Sequence, residues 1–221
     1  LPFSRMKDWL RLDSGANAPA YNMALDEALL ENAATLGQPV LRFYDWAEPC
    51  STFGDSQKIA TIEAATDLRP LIRRCTGGGL VPHDGDWTYS LIFPPDHEWA
   101  GLTATESYRR IHELLQTAFA KLGIRATLAD CCRRPRPGEC FAGHELHDLL
   151  WQNKKIAGAA QRRNRFGLLI QGSVQPLTDW AKEDWRDCLS QGAPRLETTP
   201  KARAHELAGA KYSRDEFNRK R

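Results

Sequence analysis

The 221-residue sequence lacks the features that mark membrane, exported and polyanion-binding proteins. It has no apolar run of roughly 18 residues, the length that a membrane-spanning helix needs. Residues 1–12 mix four charged side chains with apolar ones, so they contain no apolar signal-peptide core. Met6 is a candidate natural start. The formal net charge is only +2, which argues against a protein that binds polyanions through its bulk charge.

Cysteine is also scarce, with six residues in the whole chain. That number is too small for a disulfide-stabilised scaffold of this length. Because no export signal is visible, we expect reduced thiols and a cytoplasmic protein. Three of the cysteines are isolated in sequence, whereas Cys131, Cys132 and Cys140 form a cluster that needs a separate explanation.

What is present is an ordinary globular composition, 42% hydrophobic and 26% charged. Apolar spacing predicts helices over 21–32 and 178–189, and a longer one after Thr103 that ends at Gly123. A Ser213–Glu216 capping box predicts a last helix. Predicted strands cover 40–46, 71–74, 87–93, 124–128 and 166–174, with a hairpin over 148–159 that turns at Gln152 and Asn153. This mixture favours the α+β class, with a mostly antiparallel or mixed sheet flanked by helices.

The densest segment is a glycine-rich loop over residues 73–84. Three consecutive glycines allow the backbone to approach a ligand closely, and charged residues flank them on both sides. The segment matches neither the P-loop nor the dinucleotide fingerprint. A tight turn between strands explains the glycines equally well, but the flanking charges favour a ligand-binding loop. Its candidate binding residues are Arg73, Arg74, Thr76, Gly77, Gly78, Gly79, His83 and Asp84.

A second candidate segment surrounds Lys155, which enters a predicted strand followed by the small residues Gly158 and Ala159. Small neighbours suit a lysine held against a narrow pocket. Spacing alone, however, favours a solvated hairpin lysine, because most lysines are surface residues.

Four segments in order resemble the lipoate- and biotin-protein ligase catalytic-domain superfamily. They are the 22–28 helix, the glycine loop, the Lys155 segment, and residues 171–174, which resemble the family's His-Gly-Ser/Thr strand. The resemblance covers about residues 20–175. It implies that residues 1–221 form a single catalytic domain of this type, with 176–221 as a helical C-terminal extension.

Within that superfamily, the spacing from Cys140 to Lys155 resembles the cysteine-dependent octanoyltransferase branch. The resemblance implies an acyltransferase in lipoate biosynthesis. It would take octanoyl from acyl carrier protein as a thioester on Cys140 and pass it to the lysine of a lipoyl domain. Lys155 would stabilise the oxyanion, the glycines with Gly158 and Ala159 would wall the acyl chain, and His83 would order its loop rather than act as a base. Such a transferase requires no cofactor.

The acceptors implied are the lipoyl domains of 2-oxoacid dehydrogenases or the glycine-cleavage H protein, and we expect neither nucleic acid nor a membrane as a partner. Residues 131–165 carry eight basic and three acidic side chains. A basic face would attract acidic acyl carrier proteins and lipoyl domains, although a solvated charged loop explains the cluster equally well.

Several alternatives remain open. Gly79 stands where the transferases are expected to have Arg, and three glycines are typical of ATP-dependent lipoate ligases, which would need Mg-ATP. The 161–163 ending resembles octanoyl amidotransferases that act between lipoyl domains. Cys131, Cys132, Cys140, His144 and His147 could form a zinc-binding, non-catalytic module, although their spacing is unusual for zinc. A non-enzymatic lipoyl-domain binder is a further alternative, whereas biotin ligation is disfavoured because the Arg-Gly-rich loop of those enzymes is absent.

Overall fold

A seven-stranded sheet and a three-stranded sheet organise the chain. The computed structural model describes residues 7–133, 143–175 and 182–220. The large sheet has the order β1-β2-β6-β10-β9-β8-β7 and is antiparallel except for the β1–β2 pair; the small sheet has the order β4-β3-β5. The strands are Leu10–Asn17 (β1), Val40–Trp46 (β2), Cys50–Phe53 (β3), Leu71–Arg73 (β4), Val81–His83 (β5), Trp87–Phe93 (β6), Thr127–Leu128 (β7), Leu149–Trp151 (β8), Lys154–Asn164 (β9) and Gly167–Val174 (β10).

Helices cover both faces of the large sheet. They are Pro19–Glu31 (α1), Ala33–Leu36 (α2), Ile59–Glu63 (α3), Ala104–Lys121 (α4), Lys182–Leu189 (α5), Lys201–Leu207 (α6) and Asp215–Asn218 (α7), with a 3₁₀ turn at Glu98–Gly101 and a π-helical turn at Ala208–Tyr212. Within the described ranges, no helix has both the length and the apolar character needed to span a bilayer.

One face of the large sheet packs against α4 and α5. Phe43 and Tyr89 contribute to this core, and Trp185 of α5 is fully buried against both rings at centroid distances of 5.4 and 6.1 Å. The opposite face packs against α1, α6 and the π-helical turn, through residues such as Val40 and Leu169. Because side chains alternate along each strand, every central strand supplies residues to both cores.

The predicted α+β class with a mixed sheet is confirmed. The helix after Thr103 begins as the capping box predicts, because the Thr103 hydroxyl accepts the Glu106 N–H at 3.2 Å. The last helix is also present, but its predicted Ser213 cap is wrong: α7 follows Arg214, which makes no side-chain capping bond.

The strands β1, β3 and β5 and the helix α6 were not predicted. Of the expected C-terminal extension, residues 176–181 and 221 lie outside the described residues. The described helices of that region do not form a separate layer. Trp185 of α5 lies in one core of the sheet, and Leu207 of α6 lies in the other.

Candidate active site

A cavity of about 730 Å³ lies on the α1-covered face of the large sheet, a size typical of small-molecule sites. Its floor is a row of cross-strand partners: Tyr44, Thr88, Ser173 and Gly158 stand side by side on β2, β6, β10 and β9. The next row along ends at Gln171 and Ala160. The register therefore brings small and polar side chains, which are far apart in sequence, to one patch of a sheet that is otherwise apolar.

Lys155 reaches this cavity because of two local features of its hairpin. Gln152 and Asn153 both have positive φ, 48° and 61°, which gives the two-residue turn that joins β8 to β9. The register then shifts between Leu149 and Leu150, so β9 is bulged at Lys155 and Ile156. In an unbulged strand, Lys155 and Gly158 would face opposite sides. The bulge places them on the same side, facing the cavity.

Gly158 provides the space in which the Lys155 side chain lies. A Cβ atom at position 158 would stand 2.7 Å from Lys155 Cε and 2.8 Å from Nζ, well inside van der Waals contact. Glycine at 158 therefore has a steric reason, namely that the lysine crosses directly over the backbone there.

Asp148 holds the other end of this lysine. The Lys155 Nζ lies 2.7 Å from Asp148 Oδ2, and the two side chains are only 18% and 7% exposed. The same carboxylate oxygen accepts the Glu145 backbone N–H at 2.7 Å. The pair thus presents an ammonium group at the cavity wall with its direction set by a buried carboxylate.

Arg74 ties the glycine loop together from inside. Its guanidinium donates to the carbonyls of Gly77 and Gly79 at 2.9 and 2.8 Å and to the Thr52 hydroxyl at 2.9 Å. Burial lowers its pKa from 12.5 to about 10, which still leaves it charged at neutral pH. The loop is tightly packed, since a Cβ on Gly54 would stand 2.1 Å from the Gly78 carbonyl oxygen.

Arg73, the neighbouring arginine, points the other way. Its guanidinium is fully buried and donates to backbone carbonyls on both sides, including those of Asp55 at 2.7 Å and Lys220 at 2.6 Å. It therefore fastens the C-terminal residues to the loop after β3. Adjacent strand residues face opposite sides, so only one of the two arginines can face the cavity.

The residues predicted to bind the acyl group fall into two sets. Arg74, Gly78, Gly79, His83, Gly158 and Ala159 line the cavity together with Lys155. Among the described residues of that prediction, Arg73, Thr76, Gly77 and Asp84 do not line it. Thr76 instead donates to Gln171 at 2.7 Å below the loop, and Asp84 is exposed.

His83 is held by hydrogen bonds to both of its ring nitrogens, and its carboxylate partner is not the adjacent Asp84. Its Nδ1 lies 2.9 Å from Asp86, not Asp84, and its Nε2 lies 2.7 Å from the Thr52 hydroxyl. Since the carboxylate can only accept, we assign the proton to Nδ1, and Nε2 then accepts from Thr52. Trp46 stacks on the imidazole at 4.0 Å. Both ring nitrogens are thus engaged within the protein.

A buried ion pair supports the cavity floor from the α1 side. Asp26 accepts from Arg42 at 2.6 Å, from Ser90 at 2.6 Å and from Gln171 Nε2 at 2.7 Å. Asp26 and Arg42 are both fully buried. Gln171 lines the cavity, so the motif on α1 acts on the site by orienting a floor residue.

Cys140, the predicted nucleophile, lies outside the described residues, as do 134–139, 141 and 142. The residues on either side of this gap are described. Arg133 and His144 exchange backbone hydrogen bonds at 2.8 and 3.0 Å, and Arg133, Gly143, His144 and Glu145 all line the cavity. In the described ranges, no three His, Cys, Asp or Glu side chains are grouped as a metal site would require.

Several cavity residues were not predicted as site residues: Met23, Tyr44, Trp46, Thr52, Thr88 and Ser173. Met23 and Ser173 lie within the 22–28 and 171–174 motifs, whereas Tyr44, Trp46 and Thr52 belong to no motif. A usable signal existed only for Asp148, an acidic residue in the interval between Cys140 and Lys155.

Comparisons with known proteins relate this chain to one family. Residues 18–202 match the lipoyl protein ligase A/B catalytic domain family. A protein named Octanoyltransferase LipM from Halalkalibacterium halodurans is 36% identical over 182 residues, which cover 76% of this chain and 66% of the relative. The protein of that name from Staphylococcus epidermidis is 35% identical over 207 residues, covering 87% of this chain and 74% of the relative.

This chain therefore spans about two thirds (66%) of the length of the first relative. A solved structure of lipoate-protein ligase A bound with ATP shares the fold, with a TM-score of 0.71 over 96% of this chain and 97% of that one, at 23% identity.

Proposed function

Because the chain belongs to the lipoyl protein ligase A/B catalytic domain family, we propose that it is an octanoyltransferase of lipoate biosynthesis. It moves octanoyl from acyl carrier protein, through a thioester on Cys140, to the lysine of a lipoyl domain. Relatives of that name at 35–36% identity support the proposal. The proposal includes a cytoplasmic protein whose residues 1–221 act as one catalytic domain.

The observation that carries the proposal is the Lys155–Asp148 pair at a cavity lined by small residues. An ammonium group can donate hydrogen bonds to a developing oxyanion, and here a buried carboxylate sets its direction. Gly143 lines the same cavity and follows Cys140 by three residues in sequence.

The reaction proceeds in two acyl transfers. The Cys140 thiolate attacks the octanoyl thioester, a new carbon–sulfur bond forms, and the phosphopantetheine thiol leaves as a thiolate that takes up a proton. The neutral amine of the incoming lysine then attacks the acyl-cysteine. An amide forms, the Cys140 thiolate is released, and the proton that the amine loses passes to solvent. Lys155 donates to the carbonyl oxygen in both tetrahedral intermediates. No nucleotide is consumed, because the thioester is already activated.

The acyl chain lies along the glycine loop and β9. Gly78 and Gly79 present no side chain to the cavity, so an alkyl chain can approach the loop backbone without side-chain clashes. Gly158 and Ala159 of β9 line the cavity beside the Lys155 side chain. Arg74 fixes the glycine loop through the carbonyls of Gly77 and Gly79.

Acidic partners would meet a basic rim. The predicted docking face comprised Arg133, Arg134, Arg136, Lys154, Lys155, Arg162, Arg163 and Arg165 against Glu139, Glu145 and Asp148; residues 134, 136 and 139 lie outside the described residues. Of the described cations, Arg133, Lys154, Arg163 and Arg165 are exposed. If they attract acyl carrier protein or a lipoyl domain, the KM for the carrier protein rises with salt. A salt-independent KM would remove this part of the proposal.

Intact-mass spectrometry tests the whole proposal. We expect one octanoyl adduct after incubation with octanoyl-acyl carrier protein without ATP, and no adduct on a Cys140→Ala protein. Cys132→Ala removes an exposed cysteine of the same cluster and serves as the matched control, which should acylate normally. An adduct on Cys140→Ala would place the thioester on another residue. No adduct on the parent protein, with octanoylation that depends on Mg-ATP and octanoic acid, would assign the ligase chemistry instead.

A further inference from the structure

His112 is a buried titratable group that the reaction above does not use. It stands on α4, on the face turned toward the sheet, and is only 1% exposed. Its Nδ1 lies 2.6 Å from the backbone carbonyl oxygen of His147. A carbonyl only accepts, so Nδ1 carries the proton and donates.

This hydrogen bond is made to the peptide that joins His147 to Asp148, and the backbone is strained at His147. His147 has φ 71°, in the left-handed region that a histidine adopts at an energetic cost. Its carbonyl shares one planar peptide unit with the N–H of Asp148. Fixing the direction of that carbonyl therefore fixes where the chain places Asp148, whose N–H donates to the Glu145 carbonyl at 3.1 Å.

The remaining contacts hold the same two residues from another side. The His147 N–H donates to the Ala129 carbonyl at 2.9 Å, and the Ala129 N–H donates to the Asp148 carbonyl at 2.8 Å. The segment is thus held by backbone on the β7 side and by the His112 imidazole on the α4 side. Beyond it, Asp148 Oδ2 holds the Lys155 ammonium at 2.7 Å.

Packing alone does not explain a histidine at position 112, as its other ring nitrogen shows. Within the described residues, Nε2 of His112 is buried with no hydrogen-bond partner. Burying such a group costs free energy that a leucine of similar volume would not incur. Burial lowers the pKa of His112 to about 4, so the ring is neutral at pH 7 and Nδ1–H remains a single directed donor.

We propose that His112 is a positioning residue for the acyl transfer: its Nδ1–H locks the His147–Asp148 peptide, so that the Asp148 carboxylate holds Lys155 against the cavity. This inference rests on the proposed function for the role of Lys155. The locking of the 145–148 segment itself is independent of that function, and the experiment separates the two.

Two substitutions on α4 give a matched comparison. His112→Leu removes the donor to His147, whereas Gln116→Leu removes a bond of the same type one helical turn later, from Gln116 Nε2 to the Ala126 carbonyl at 2.8 Å. Both lose one side-chain-to-backbone bond from α4, but only the first bond touches the Asp148 segment. His112→Asn is the conservative rescue, because its amide nitrogen can occupy the place of Nδ1.

Single-turnover acylation by octanoyl-acyl carrier protein and amide hydrogen exchange supply the readouts. A misplacement of about 1 Å costs up to roughly a hundredfold in rate. For His112→Leu we therefore expect acylation slower by about ten- to a hundredfold, KM within about twofold of the parent, and faster exchange at 145–148. His112→Asn should recover most of the rate. Gln116→Leu should keep it and show faster exchange at 124–128 instead.

Two results would overturn the proposal: His112→Leu acylating at the parental rate with unchanged exchange at 145–148, or Gln116→Leu slowing acylation equally. If the parent protein forms no octanoyl adduct, the proposed function fails. The exchange data then decide the anchoring alone, which is refuted if exchange at 145–148 does not rise. Should His112→Leu not fold, His112→Gln removes the Nδ1-like donor while keeping a polar side chain.

Discussion

Gly158→Ala should lower the acylation rate strongly while lowering the stability of the protein only slightly. The new Cβ atom would stand 2.7 Å from Lys155 Cε, 2.8 Å from Nζ and 3.1 Å from Asp148 Oδ1. Carbon atoms in contact need about 3.5–4.0 Å, so the end of the lysine must move by about 1 Å. It can do so without moving the backbone, because the obstructed atoms are the tip of a flexible side chain that is 18% exposed.

A displacement of this size costs up to about a hundredfold in rate, equivalent to about 2.7 kcal/mol of transition-state stabilisation. The free energy of unfolding should fall by only about 1–2 kcal/mol, since one partly exposed ion pair is perturbed while Asp148 keeps its bond from Glu145 N–H. For a chain of this size that corresponds to a Tm decrease of roughly 2–8 °C.

The assay is single-turnover octanoylation of the enzyme, measured beside thermal unfolding on the same preparation. Gly101→Ala is the matched control, because a Cβ at position 101 meets nothing within 4 Å and the residue lies in the 3₁₀ turn. A Gly158→Ala protein that acylates within threefold of the parent would refute the reasoning from Lys155. A protein that no longer folds would show that the backbone, not the lysine tip, is obstructed.

Three further outcomes follow from the packing and the titrating groups. Gly172→Ala should destabilise the protein by about 3 kcal/mol or more in urea unfolding, because the new Cβ would stand 2.1 Å from Cζ of the buried Tyr89. If adding Tyr89→Leu left this loss of stability unchanged, the clash with Tyr89 would not be its cause. Burial raises the pKa of Cys75 to about 11. Iodoacetamide at pH 7.5 should therefore modify the exposed Cys132 in the folded protein, and Cys75 only after unfolding. Equal labelling of both cysteines in the folded protein would contradict this prediction. His112 has a pKa lowered from 6.5 to about 4 by burial, with Asp148, Lys155 and His147 also acting on it; the unfolded chain therefore takes up this proton first as the pH falls. The free energy of unfolding should therefore fall by up to about 3 kcal/mol between pH 6.5 and 4, and His112→Asn should lack this loss. If plots of unfolding free energy against pH were parallel for the two proteins, His112 would not titrate in this way.

Local patterns in the sequence were sufficient for the elements with strong periodicity. The strands β2 and β6, the helix α4 with its Thr103 cap, and the hairpin turn at Gln152 and Asn153 all follow from rules that act over a few residues. The edge strand β1 has no such signal, because its pairing with β2 and not its own composition makes it a strand.

The order of the motifs along the chain was also sufficient for the family and the fold class. Only the tertiary structure decided which neighbours the motif residues have. Arg74 rather than Arg73 faces the cavity because strand alternation admits one of the two. The carboxylate beside His83 is Asp86 rather than Asp84, because a positive-φ glycine, Gly85, separates them and turns the chain.

The neighbourhood of Lys155 is assembled from residues up to 46 positions apart, namely Asp148, Gly158 and His112. The bulge in β9 and the placement of α4 over the sheet bring them together. Such contacts depend on strand register and on helix placement over a sheet, which are properties of the whole packed chain. The sequence by itself therefore determined which chemical groups this protein carries, and the tertiary structure decided how they are paired and aimed.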